Sequence, residues 1–211
     1  MNEQRVTFAS GELHLEGALS LPEGAPPFPA VIVCHPHPLY GGSMDNSVVC
    51  ALTEALSQAS FIAFRINFRG VGLSQGRFDL GIGEQEDVEA AITLVSTMKE
   101  VDPDRIGLAG YSAGAAFALP VGSGDGRIKA MVAVSPPLDM FDFAYLRHCS
   151  KPKLLISGSR DAFTPDDRFL KFCRELPDPA NCVIIEGADH FWWGHEPQLA
   201  SRVSDFFARA L

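Results

Sequence analysis

Apolar and polar positions recur with two different periods along this chain, and the contrast predicts its architecture. At the start the period is two: Leu13, Leu15, Gly17 and Leu19 interleave with His14, Glu16, Ala18 and Ser20, the pattern of a half-buried strand. A shorter extended segment, Arg5–Phe8, precedes it, and Gly11 between the two points to a hairpin. The stretch from Pro22 to Pro29 reads as a surface loop. After it the apolar residues come in short continuous runs at Ala30–Cys34, Phe61–Phe68, Ile106–Ala109, Ala130–Val134, Lys153–Ser157 and Asn181–Glu186. Unbroken runs of strand length suit parallel strands covered on both faces.

Between these runs the spacing becomes helical. Asn46 is placed to cap a helix reaching about Ala59, with Val49, Leu52, Leu56 and Ala59 on one side. A second helix is expected from Glu84 to Met98, its apolar side made of Val88, Ala91, Ile92 and Val95. Small residues, Ala115 to Leu119, follow the central run, and Asp166–Arg174 and Glu196–Ala210 complete the set. Strands alternating with helices predict an α/β fold: a central sheet of about eight strands, mainly parallel with an antiparallel first hairpin, flanked by helices. No repeat or low-complexity linker divides the chain, so residues 1–211 read as one domain. The loop His35–Ser43 is expected to avoid helix, because each proline pushes its predecessor out of the α region. The acidic start Glu84, Glu86, Asp87 and Glu89 reads as a solvated first turn at the positive end of a helix dipole.

Composition narrows the partners. With 46% hydrophobic and 20% charged residues the chain is of ordinary globular make-up, and its net charge of −9 argues against nucleic acid or an anionic membrane surface. No apolar run approaches the roughly 20 residues of a membrane span. Met1-Asn2-Glu3-Gln4-Arg5 lacks the charged start and apolar stretch of a secretory leader. The cysteines, at positions 34, 50, 149, 173 and 182, are odd in number and show no Cys-x-x-Cys spacing, so they are read as free thiols in a reducing, cytoplasmic setting with no metal site.

Candidate chemistry begins where the central run ends. Ile106–Ala109 leads into Gly110-Tyr111-Ser112-Ala113-Gly114, a strand–turn–helix with a serine at its apex. Such a turn presents the hydroxyl on strained backbone, and its glycines allow strand and helix to approach. A serine hydroxyl needs a base to take its proton and a third group to hold that base. Asp161 follows the end of the Lys153–Ser157 run and His190 follows the Asn181–Glu186 run. In a parallel sheet these loops open on the same edge as the serine turn, where open α/β sheets bind ligands. The order Ser112, Asp161, His190 is the order this architecture uses. His195 is the alternative base, and His35 and His37 an alternative metal pair with no carboxylate cluster beside it. Arg69 reads as structural, pairing carboxylates such as Asp87.

Four stretches carry a resemblance: the elbow itself, His35-Pro36-His37-Pro38-Leu39-Tyr40-Gly41-Gly42-Ser43-Met44-Asp45-Asn46, Asn67-Phe68-Arg69-Gly70-Val71-Gly72-Leu73-Ser74, and Gly187-Ala188-Asp189-His190-Phe191. Together they resemble the α/β-hydrolases, in particular the small, lidless bacterial members near the dienelactone hydrolases. Those enzymes carry a cysteine nucleophile where this chain has Ser112. The resemblance implies an oxyanion hole of two backbone N–H groups, one from Ala113. The other comes from the loop after Ala30–Cys34, where Pro36 and Pro38 have no N–H, leaving His37 first and Leu39 or Tyr40 as alternatives. Tyr40, Tyr111, Phe191 and Trp192 are expected to contact substrate. The expected activity is that of a serine carboxylesterase on short-chain, small-molecule esters, with water as co-substrate and no cofactor. Thioester or peptide cleavage on the same triad, and a catalytically silent binding protein, are the rivals; a homodimer through a sheet edge or the final helix is left open.

Overall fold

In the computed structural model, which describes residues 2–211, the apolar runs become strands β1 (Asn2–Ser10), β2 (Leu13–Leu21), β3 (Phe28–Cys34), β4 (Ile62–Ile66), β5 (Val101–Tyr111), β6 (Ile128–Val134), β7 (Lys153–Gly158) and β8 (Ala180–Ile185). Met1, where the segment examined for a leader begins, lies outside the described residues. The strands form one eight-stranded sheet in the order β1-β2-β4-β3-β5-β6-β7-β8. The β1–β2 and β2–β4 pairs are antiparallel and every later pair is parallel.

The alternation of side chains across the pleat divides the core in two. On β3, Val31 and Val33 point to one face, where they meet Val48 and Leu52 of α1 (Ser47–Gln58) and Val203 and Phe207 of α5 (Glu196–Ala210). Ile32 and Cys34 point to the other, into a cluster with Val88 and Ile92 of α2 (Ile82–Thr97) and Phe117 of α3 (Ala113–Gly124). A shorter helix, α4 (Asp166–Cys173), links β7 to β8. The expected cap is present: Asn46 accepts a hydrogen bond from the Val48 N–H at 3.0 Å and starts α1. Residues 135–152, between β6 and β7, hold only a short 3₁₀ helix, Ala144–His148, so no lid rises over the carboxyl edge of the sheet there.

Three expectations are corrected. The loop after β3 contains one 3₁₀ turn, Pro38–Tyr40. Proline starts it because the first position needs no N–H donor, His37 stays extended before it, and Gly41 at φ +82° ends it. The acidic start of α2 is solvated only in part: Glu86 and Glu89 are exposed, whereas Glu84 and Asp87 are fully buried. Glu84 folds back to accept from the Asp79 and Gly81 N–H groups at 3.0 and 2.7 Å. Asp87 accepts from Arg69 Nε and Nη2, the Arg69 N–H and the Ser10 hydroxyl, so the proposed Arg69–Asp87 pair is present with two further donors. Finally, Cys173 and Cys182 are joined in a disulfide between the end of α4 and β8, with Cα atoms 6.2 Å apart. Cys34, Cys50 and Cys149 are free, so the reading of five free thiols, and the reducing setting inferred from it, loses its support. No helix among the described residues is long and apolar enough to cross a membrane.

Candidate active site

The turn after β5 is strained as its sequence requires. Ser112 has φ +54° and ψ −123°, a region that disfavours a side chain, and its N–H is held by the Val134 carbonyl at 2.8 Å. The glycines around it are steric necessities. A Cβ on Gly110 would stand 2.5 Å from Ala115 Cα, and one on Gly114 would stand 2.6 Å from the Cys34 carbonyl oxygen. Close approach of α3 to β3 and β5 is what aims the serine hydroxyl out of the sheet.

Asp161 and His190 arrive on two loops that are stitched together. Arg160 N–H donates to the Ala188 carbonyl at 2.8 Å, and Gly187 N–H to the Ser159 hydroxyl at 2.9 Å. Gly158 makes this possible, because a Cβ there would lie 2.6 Å from the Ala188 carbonyl carbon. The result is a continuous relay. Ser112 Oγ lies 2.9 Å from His190 Nε2, and His190 Nδ1 lies 2.9 Å from both carboxylate oxygens of Asp161. The Asp161 carboxyl also accepts from the Phe163 and Thr164 N–H groups at 2.9 and 3.1 Å. Burial alone would raise its pKa. The hydrogen bond and charge of His190, the Ser135 hydroxyl and the Phe163 N–H outweigh burial and hold it below the ordinary carboxylate value. An ionised carboxylate only accepts, so Nδ1 carries the imidazole proton and the Nε2 lone pair faces Ser112. Tyr111 hydroxyl donates to the His190 carbonyl at 2.8 Å and fixes that residue's backbone.

The loop after β3 offers three candidate backbone donors, His37, Leu39 and Tyr40. Leu39 N–H donates to His37 Nδ1 at 3.2 Å and Tyr40 N–H to the His37 carbonyl at 3.1 Å. The His37 N–H has no acceptor among the described residues, and neither does that of Ala113 at the start of α3. These two are the uncommitted donors beside the serine. The His37 ring is packed between Tyr40 and Phe78, each with its centroid 4.8 Å away, which fixes the loop that presents the N–H.

Ser112 and His190 open into a cavity of about 400 Å³. Tyr40, Tyr111 and Phe191 line it. Trp192 does not: it is 0% exposed beneath α5, and its indole N–H donates to the Ser135 hydroxyl at 3.1 Å. Trp193, at 76% exposure, also lies outside the lining. Pro137, Met140, Phe141 and Phe163 do line it, and no local pattern in the sequence singles them out. The lining contains no Lys, Arg, Asp or Glu.

The other histidines stand aside. His195 precedes α5, with Nδ1 3.2 Å from the Trp193 carbonyl oxygen. His35 is buried, with Nδ1 2.6 Å from the Pro36 carbonyl oxygen while Nε2 accepts from the Phe68 N–H at 3.2 Å. Among the described residues no group of His, Cys, Asp and Glu is arranged to hold a metal ion. Burial lowers the His35 pKa to about 4 although its bond to Pro36 opposes this. The folded pKa is therefore below the unfolded one of about 6.5, so the unfolded chain takes up the proton first as pH falls. The fold should lose up to about 3 kcal/mol between pH 6.5 and pH 4 from this residue alone. Urea unfolding at pH 7 and pH 4.5 checks it: His35→Gln, less stable at pH 7, should show a shallower acid loss than wild type, and equal slopes would refute the assignment.

The sheet order and the chain order of the relay define an α/β serine hydrolase of the lidless kind. A family profile described as X-Pro dipeptidyl-peptidase (S15 family) matches residues 11–190, and the chain belongs to that family. An uncharacterised protein of Rickettsia prowazekii is 31% identical over 210 residues, covering 96% of this chain and 87% of its own. An α/β serine hydrolase homologue from Coxiella burnetii superposes with a TM-score of 0.89 at 34% identity over 97% of both chains. A serine hydrolase without a lid from Xanthomonas campestris gives 0.88 at 28% identity, covering 100% of this chain and 96% of its own.

Proposed function

We propose that this hydrolase is a carboxylesterase acting on short-chain esters of small molecules, with Ser112 as nucleophile. The observation that carries the reading is a Ser–His–Asp relay at hydrogen-bonding distances opening into a cavity lined without a single charged side chain. His190 takes the Ser112 proton as Oγ attacks the ester carbon, and the His37 and Ala113 N–H groups hold the oxyanion. The tetrahedral intermediate collapses to an acyl-enzyme, and His190 hands the proton to the departing alkoxide. Water, deprotonated by His190, then releases the acid. Asp161 keeps the imidazole in the required tautomer throughout.

A dipeptidyl-peptidase would need to recognise a free N-terminal ammonium, and no carboxylate lines this cavity to do so. The acyl group is uncharged for the same reason. Initial rates on p-nitrophenyl acetate, butyrate and octanoate, beside Ala-Pro-p-nitroanilide, test the reading. We expect kcat/KM to be highest on acetate or butyrate, with the anilide at least about 100-fold slower. A rate that climbs steadily to octanoate would sink the short-chain preference, and a faster anilide would return the chain to peptide chemistry. Thioester analogues of the acetate belong in the same series, since the relay itself does not discriminate against sulfur.

A further inference from the structure

The relay fixes which side of the cavity each half of an ester occupies. The proton lost by Ser112 must be returned, through His190 Nε2, to the oxygen that departs, so the leaving group lies on the imidazole side. Two aromatic side chains border the imidazole there. The Phe163 ring has its centroid 4.5 Å from that of His190, and the Phe191 ring stands edge-on to it at 5.7 Å. Both line the cavity, and both are only part-covered, at 45% and 55% exposure, so each has apolar surface free for a ligand to cover. They are held by the same loops as the relay. Phe163 N–H is bonded to Asp161, and Phe191 N–H donates to the Asp189 side chain at 3.0 Å. Their backbones are therefore as fixed as the base itself.

Resting on the esterase reading above, we propose that Phe163 and Phe191 form the leaving-group subsite and that it selects an uncharged, aromatic or bulky apolar alcohol. In the acylation step the bond from Ser112 Oγ to the carbonyl carbon forms and the bond from that carbon to the alcohol oxygen breaks. The serine proton ends on the alcohol. Two rings flanking the departing oxygen would cover one face and one edge of an aromatic alcohol, an arrangement aromatic pairs favour. An anionic leaving group finds no cation in the lining, and it also meets a chain of net charge −9. A cationic one would have to exchange water for a lining that holds no carboxylate.

The test compares acetates whose alcohols differ in shape but little in basicity: methyl, benzyl and 3,3-dimethylbutyl acetate, with acetylcholine as the cationic isostere of the last. Wild type should show a benzyl-to-methyl ratio in kcat/KM of about tenfold or more, and should prefer 3,3-dimethylbutyl acetate to acetylcholine. In the Phe163→Ala, Phe191→Ala double variant the benzyl-to-methyl ratio should fall toward one, while Trp193→Ala, outside the cavity, should keep it. Should the double variant fail to fold, partitioning of the wild-type acyl-enzyme gives the same information: with p-nitrophenyl acetate as donor, benzyl alcohol should capture the acetyl group about tenfold better than methanol. A ratio near one in wild type, a ratio that survives the double substitution, or a preference for acetylcholine would each overturn the proposal. If methyl acetate is cleaved by wild type and not by Ser112→Ala, those failures are of the subsite alone. No cleavage of any acetate would instead remove the esterase reading, and the subsite with it.

Discussion

Ser112→Ala should lower kcat/KM on p-nitrophenyl acetate by about 10⁴-fold or more while leaving the fold intact. The alanine cannot receive the acyl group, and His190 then has no proton to take. What remains is the pair of N–H groups from His37 and Ala113, which can still polarise a bound carbonyl toward attack by water. The substitution removes one oxygen at a site where the backbone, not the side chain, sets the geometry, since Ser112 N–H stays bonded to Val134 and Ala115 N–H to the residue-112 carbonyl. Circular dichroism and melting temperature should therefore stay close to wild type. Steady-state rates, with wild type titrated by its acylation burst and the variant normalised to protein concentration, check the result. Activity within tenfold of wild type would mean that the strained turn is not where chemistry happens.

The second large effect is on stability. Asp87→Ala should destabilise the protein by about 3–5 kcal/mol, because it leaves the buried Arg69 guanidinium with the exposed Glu86 as its carboxylate partner and leaves the Arg69 N–H and the Ser10 hydroxyl without their acceptor. For a chain of this size that corresponds to a fall in Tm of about 10 °C. Arginine stays protonated across the accessible pH range, so Arg69 cannot escape by losing its proton. Differential scanning calorimetry decides the matter, and a fall below about 2 °C would show that the pair is dispensable. The damage should reach the oxyanion loop too. Arg69 opens the glycine-punctuated segment that carries Phe78, and Phe78 packs on the His37 ring.

The strands and the relay were readable because their signals are local. A continuous apolar run, a turn of small residues and a loop ending in Asp or His each lie within about ten residues, and parallel pairing sends all those loops to one edge. The Arg69–Asp87 pair is legible in the sequence, but the burial of Asp87 is not: Ser10 lies 77 residues away, and an acidic first turn looks the same whether or not something comes to meet it. The run Phe191-Trp192-Trp193 offered no period to sort inside from outside. Trp192 adopts φ +62°, and this left-handed kink drives it into the core while its neighbours turn outward. The cysteine pair was hidden because 173 and 182 become neighbours only once the end of α4 lies against β8. Phe163 and Met140 belong to loops without periodicity, so only the folded chain shows that they face Ser112.

The base of the relay hangs from the outermost strand. β8 is one of the sheet's two terminal strands, bonded on one side only to β7, and its residues from Ala180 to Ile184 all keep some solvent exposure. Edge elements with few covered contacts open at lower free energy than the whole molecule. Ser112, by contrast, sits on β5 in the middle of the sheet. Inactivation should therefore run ahead of denaturation: on gentle heating or in low urea, the hydrolytic rate should disappear while far-ultraviolet ellipticity still reports a folded protein. The catalyst would then be a sensor of its own frayed border, switched off by loss of a strand the rest of the fold can spare.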